Sequence, residues 1–345
     1  MNRDDDLDPH RGGRRWCPLG KPVKAAIVCG LMIMAARAWC QPVSGSMDVR
    51  WNEGAPDCAA APQAPLQVHV YEPRTFILRQ SPCANFEANF LYLLVGSDKA
   101  LLVDSGAIAD PEKMPLAKTV LGLLPTVGGS KMPLIIVHTH RHRDHYAGDP
   151  QFASLPAVQI VPAELDSVRE FFGFAQWPSG VAQLALGDRT VDIIPTPGHT
   201  PDHLVLYDRR TALLFSGDFL LPGRLLIDDA AAYHESALRV VEFLKTRPLT
   251  FVLGSHIELD ATGQAYAERS QYHPNEHPLQ LTKDDLLALP AALEQFNGFY
   301  ARYPRFILSN PMHNLFALAI TVIVVLTLIV WGVRRAFLRR RRRAL

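Results

Sequence analysis

The chain has 345 residues, 48% hydrophobic and 20% charged. That suits one large folded domain or two small ones with ample core, and it excludes a chain too polar to fold. The formal net charge of +1 hides a skew, because seven arginines fall in the last twelve residues and the body is acidic, so nucleic acid is not an expected partner.

At the N-terminus, Arg11, Arg14, Arg15, Lys21 and Lys24 precede an apolar run at 25–36, followed by Ala36-Arg37-Ala38. This is the layout of a signal peptide over residues 1–40, either cleaved or kept as an N-terminal anchor. Cys17 and Cys29 fall within it, Cys40 lies just beyond the cut, and Cys58 and Cys83 remain in the body. In an oxidising compartment the last two either form a disulfide or stay as buried free thiols. No cysteine has metal-site spacing.

Residues 41–65 are rich in Ala, Pro and Gly and read as a linker into a domain at 66–310. Strands are predicted at 66–70, 75–78, 89–95 and 99–103, with a hairpin turn at 96–99. A helix follows at 111–124, then a buried strand at 134–137 that runs into a histidine cluster. Further strands are predicted at 158–161, 189–194, 204–207, 212–215 and 250–253, and helices at 163–172, 233–245 and 283–299. Strand groups followed by helices, repeated twice, imply two sheets packed face to face with helices outside.

Pro304 and Pro311 mark a short link to 315–333, nineteen residues without a charge. As a helix this run is about 28 Å long, matching the hydrocarbon thickness of a bilayer. Trp331 sits at an interfacial position and the arginines follow. The positive-inside bias makes 334–345 a basic cytoplasmic tail and puts the domain on the other side, in the periplasm of a bacterium with its anchor in the inner membrane.

The cluster contains His138, His140, His142, Asp144 and His145, so four of the thirteen histidines fall within eight residues. His140 and His142, two apart at a strand end, point the same way. Imidazoles with a carboxylate suit divalent ions. More ligands are needed for two ions, and they stand at later strand ends: His199, Asp218 and His256. His138 and His203 read as framework residues. His273 and His277 either line the cleft or belong to an exposed polar loop.

Thr139-His140-x-His142-x-Asp144-His145, with His199, Asp218, His256 and the motif Val103-Asp104-Ser105-Gly106, resembles the metal motifs of the metallo-β-lactamase superfamily over roughly residues 68–260. The resemblance implies an αββα sandwich. It implies a first ion on His140, His142 and His199, a second on Asp144, His145 and His256, and Asp218 bridging both. Asp144 also acts catalytically as the proton shuttle, and Asp104 steers a ligand imidazole from behind. The ions are divalent, with zinc expected and iron or manganese as alternatives.

The activity so implied is hydrolysis of an ester-like bond in a small molecule (thioester, lactone or phosphodiester) by a metal-bound hydroxide. Asp218 resembles the glyoxalase II-like group; typical β-lactamases have Cys or Ser there. Yet residues 257–310 are short for a glutathione-binding domain, and Phe219-Leu220-Leu221-Pro222 lacks the tyrosine of the lactonases. A β-lactam hydrolase and an iron-dependent persulfide dioxygenase stand as alternatives. Specificity is expected from loops 147–156, 170–181 and 220–229. Phe171, Phe172, Phe174 and Trp177 in the second either greet an apolar substrate or form a packed flap.

Overall fold

The computed structural model describes residues 41–343; the expected export signal at 1–40 lies outside them. Residues 41–65 form no helix or strand beyond one bridge from Gly54 to Tyr272. They nevertheless pack onto the domain. Trp51 is buried edge-on against Phe90, with ring centroids 4.9 Å apart. Cys58 and Cys83 form a disulfide across 25 residues, which sets aside the free-thiol reading.

Strands β1 (Leu66–Glu72), β2 (Thr75–Gln80), β3 (Phe90–Val95) and β4 (Ala100–Val103) form an antiparallel meander. Helix α1 (Leu116–Leu123) and the small hairpin of β5 (Thr126–Val127) and β6 (Ser130–Lys131) lead to β7 (Leu134–Val137), parallel to β4. The short helix α2 (Arg143–Tyr146) precedes β8 (Val158–Ile160), which closes this sheet in the order β1-β2-β3-β4-β7-β8.

Helix α3 (Leu165–Phe172) leads to the second sheet, through β9 (Ala182–Ala185), β10 (Thr190–Pro195), β11 (Leu204–Asp208) and β12 (Leu213–Gly217). After β13 (Arg224–Leu226) and helix α4 (Ala230–Leu244), β14 (Phe251–Gly254) pairs parallel with β12, and β15 (Gln280–Leu281) forms the far edge. Helix α5 (Lys283–Glu294), β16 (Tyr300–Arg302), β17 (Ile307–Ser309) and the long helix α6 (Pro311–Arg343) complete the chain.

The layers follow from side-chain alternation. In β3, Phe90, Tyr92 and Leu94 face the space between the sheets, while Leu91, Leu93 and Val95 join α1 on the outer face. In β7, Ile135 and Val137 point in while Leu134 and Ile136 point out. Strands covered on both faces read as unbroken apolar runs, which is why 134–137 was legible as a strand. The second sheet repeats this: Val191 and Ile193 face inward, and Ile194 packs outward with Tyr233 and Val240 of α4. The result is the expected αββα sandwich.

Some boundaries shift. Helix α1 starts at Leu116 rather than 111 because Pro115 sits at its N-cap, and a proline disfavours helix in the residue before it. The helix expected at 283–299 ends at Glu294, and β16, with β17 inside the link expected at Pro304 and Pro311, joins β13 in a third sheet ordered β13-β17-β16. Three-residue strands are too short to show a period. Pro311 is the first residue of α6, where its missing N–H costs nothing. Over Pro311–Arg339 this helix is long and apolar enough to cross a membrane, and nothing among the described residues buries its apolar stretch.

Candidate metal centre

Strand ends bring the predicted residues together. Beyond β7 the chain bends over residues 139–141 and reaches His142, the extended N-cap of α2, and the helix then carries Asp144 and His145. His199 follows β10, Asp218 follows β12 and His256 follows β14. Gly217 turns the chain at φ +53°, and a Cβ there would lie 2.7 Å from that of Thr139, so the turn presenting Asp218 needs glycine.

Two groups result, His140, His142, His199 and Asp218, and beside them Asp144, His145 and His256; within each, the potential ligand atoms lie within 4.8 Å of one another. Asp218 divides its oxygens between the groups. Oδ2 lies 3.9 Å from His140 Nε2 and 3.7 Å from His199 Nε2. Oδ1 lies 3.7 Å from His145 Nε2 and 3.4 Å from His256 Nε2. Asp144 Oδ2 sits 3.1 Å from His145 Nε2 and 3.4 Å from His256 Nε2.

The far side of each imidazole fixes which nitrogen is free. His145 Nδ1 donates to Asp104 Oδ2 at 2.8 Å, His199 Nδ1 to the Leu226 carbonyl at 2.9 Å, and His256 Nδ1 to the Glu87 carbonyl at 2.7 Å. Thr139 gives its hydroxyl proton to Asp104 Oδ2 and accepts from His140 Nδ1 at 3.2 Å. In the neutral rings, Nε2 of His140, His145, His199 and His256 is then the nitrogen with the lone pair. His199 Nε2 nevertheless stands 3.2 Å from His140 Nε2 and 3.1 Å from His142 Nδ1. Lone pairs converging this closely repel unless a cation lies among them, and His145 Nε2 and Asp218 Oδ1 are buried without a hydrogen-bond partner. The donor set fits divalent ions of the zinc type.

Electrostatics agree. Burial, with the neighbouring imidazoles of His145 and His199, holds His140 well below its ordinary value; burial and His199 do the same more mildly for His142. Both are neutral, as ligands must be. Burial pushes Asp144 and Asp218 up, but His145 and His256 outweigh it and hold both carboxylates below their usual range. Burial pulls His256 down, yet Asp218 and Asp144 raise it to about 10. In the second group the two carboxylates thus hold a proton on His256, and a bound divalent cation would take that proton's place.

Sequence reasoning missed three contributors. Asn89, fully buried just before β3, donates from Nδ2 to Asp144 Oδ2 at 3.0 Å. Its one signal is an amide at the head of an apolar strand. The carbonyls of Leu226 and Glu87 orient ligands through the backbone and leave no mark in the sequence. The other histidines divide. Buried His138 contacts Asp149 at 3.1 Å, and His203 bonds Thr196 at 2.8 Å. Neither His273 nor His277 is exposed; His273 stacks on Tyr266, ring centroids 4.5 Å apart, and His277 turns towards the Pro278 carbonyl.

A cavity of about 270 Å³ adjoins the second group, lined by Phe86, Glu87, Arg224, His256, Tyr266 and His273 among others. The aromatic loop does not line it. Phe174 is buried in the central core, Phe171 and Phe172 pack against it, and Trp177 donates to the Pro201 carbonyl at 3.0 Å. These side chains form a packed flap.

Residues 85–256 match the family described as the metallo-β-lactamase superfamily. A Gallus gallus protein named acyl-coenzyme A thioesterase MBLAC2 is 26% identical over 216 residues, covering 53% of this chain and 77% of that protein. A hydroxyacylglutathione hydrolase of Chromohalobacter salexigens is 28% identical over 178 residues, 46% of this chain and 59% of its own length. A metallo-β-lactamase structure from Pontibacter korlensis aligns with 67% of this chain and all of that one, at 17% identity and a TM-score of 0.45.

Proposed function

The chain belongs to the metallo-β-lactamase superfamily through residues 85–256, and on that premise we propose that it is a membrane-anchored, exported hydrolase that cleaves a thioester at a two-metal centre. His140, His142 and His199 would hold one ion and Asp144, His145 and His256 the other, with Asp218 offering an oxygen to each. The division of the two Asp218 oxygens between the groups carries this reading.

Two bound divalent ions supply an activated water near neutral pH and polarise the substrate carbonyl. The side chains do the rest. Asp104 keeps the His145 proton on Nδ1, so that Nε2 faces the centre. Asn89 holds Asp144 in place, and the Asp144 carboxylate passes a proton from the attacking water to the departing sulfur. Water adds across the acyl–sulfur bond, giving an acid and a thiol.

Two relatives named for thioester substrates favour that bond over a lactone or phosphodiester. Aspartate at 218 disfavours β-lactams. In this reading α6 is the anchor in a bacterial inner membrane, with 334–345 cytoplasmic and the domain periplasmic; the Cys58–Cys83 disulfide suits such a compartment. Zinc is the expected metal. The test is the purified full chain in detergent, assayed against a thioester, a lactone, a phosphodiester and a β-lactam. Thioester cleavage lost on chelation and restored by Zn²⁺ is expected. Cleavage of another class with the thioester untouched overturns the substrate, and iron with oxygen consumption overturns the reaction.

A further inference from the structure

The third sheet joins the metal centre to the root of α6. His199 bonds the Leu226 carbonyl at 2.9 Å, Leu226 pairs with Ser309 in the parallel β13–β17 ladder, and the Ile227 amide donates to the Ser309 carbonyl at 2.8 Å. Two residues after Ser309 the helix begins. Adding one strand spacing and two residues of chain puts the His199 ring within about 20 Å of Pro311.

The junction is clamped. Asn310 is buried, its amide donates to the Phe299 carbonyl at 3.0 Å, and its side chain caps the helix by accepting from the His313 amide at 2.9 Å. His313 Nδ1 donates to the Gly298 carbonyl at 2.8 Å, and Asn314 Nδ2 to that of Phe299 at 3.1 Å. Beside the clamp, Phe299 and Tyr300 are 46% and 50% exposed. Aromatic side chains left in solvent where a spanning helix begins are placed as an interfacial belt is.

We propose that the β13–β17–β16 sheet seats the metal centre at the bilayer surface, and that the substrate is a membrane-partitioned amphiphile, an acyl chain with a thioester headgroup, taken up from the interface. This rests on α6 as a membrane anchor and on the hydrolase reading. A domain on a loose tether would sample all orientations and gain nothing for such a substrate. Here the ligand His199, the strand beside it and the helix root are one hydrogen-bonded unit, so the centre keeps a fixed height above the lipid.

The test uses the full chain in lipid nanodiscs. Tyr300→benzoylphenylalanine is compared with Val127→benzoylphenylalanine; Val127 is 60% exposed on β5, before the start of β7 and so at the end away from the metal centre. Irradiation is expected to couple lipid to position 300 and not to 127. No adduct at 300, or equal adducts at both, overturns the seating. Separately, a Gly-Ser linker of about twenty residues between Asn310 and Pro311 keeps anchor and domain but releases the clamp. Hydrolysis of a long-chain acyl thioester dissolved in the disc is expected to fall about tenfold, while a short water-soluble thioester changes by less than about twofold. Equal losses, or none, overturn uptake from the interface. If the unmodified chain cleaves neither thioester, the hydrolase reading fails and takes the substrate class with it, while the cross-link still decides the seating. If alkaline carbonate strips the chain from membranes, the anchor reading and the seating both fail.

Discussion

Asn89 Nδ2 donates to Asp144 Oδ2 at 3.0 Å, so the residue entering β3 holds a carboxylate in the first turn of α2. Removing that donor frees Asp144 without touching the first group. Asn89→Ala is therefore expected to weaken the second ion by about 10- to 100-fold and leave the first unchanged. Competition with a chromogenic chelator resolves the two affinities. Equal weakening of both, or of neither, contradicts the assigned role.

The seven residues of the two groups were legible because they follow the apolar strands β7, β10, β12 and β14, with Asp144 and His145 a few residues on in α2. The sandwich was legible because runs such as Leu134–Val137 are buried on both faces. Asn89 was not, since a single amide at a strand head looks like a turn residue. Leu226 was not, since it acts through its carbonyl and belongs to a three-residue strand that exists only because β17 pairs with it. The aromatics at 171–177 could not be assigned from sequence, because filling a core and lining a cleft ask for the same residues.

Arg189 is fully buried and ties the two sheets. It grips both oxygens of Asp208, at 2.9 and 2.7 Å, and reaches across to the Thr75 hydroxyl at 2.8 Å and the Arg74 carbonyl at 2.7 Å. Arg189→Met leaves Asp208 charged without its buried partner and is expected to cost about 3–5 kcal/mol. Denaturant unfolding measures this; a loss below about 1 kcal/mol contradicts the staple, because that is the scale of an exposed pair.

Glu72 belongs to the same network, taking a hydrogen bond from Thr75 at 2.6 Å with Arg210 at 3.4 Å. Burial pushes its carboxyl up, but Thr75 and Arg210 outweigh it and hold it below its ordinary 4.5. The unfolded chain therefore takes up the proton first. The stability Glu72 contributes is complete above about pH 4.5 and is lost as pH falls through the lower folded value. The stability gap between wild type and Glu72→Gln, measured by thermal unfolding across pH, is expected to be widest near neutrality and to close in acid. A gap that does not vary with pH contradicts this.

The Cys58–Cys83 link closes a loop of 25 residues that holds the entry segment on the domain. Replacing both cysteines with alanine is expected to cost roughly 3 kcal/mol through the entropy of the unfolded chain. Unfolding of the double variant against the oxidised parent tests it, and equal stabilities contradict it.

The two-ion centre bridged by Asp218 is tested most directly by elemental analysis of the purified full chain after chelation, reloading and desalting. Two zinc ions per chain are expected for the wild type and a clear loss for Asp218→Ala, whose substitution removes the only carboxylate shared by both groups among the described residues. One ion or none in the wild type, or two retained by Asp218→Ala, contradicts the account.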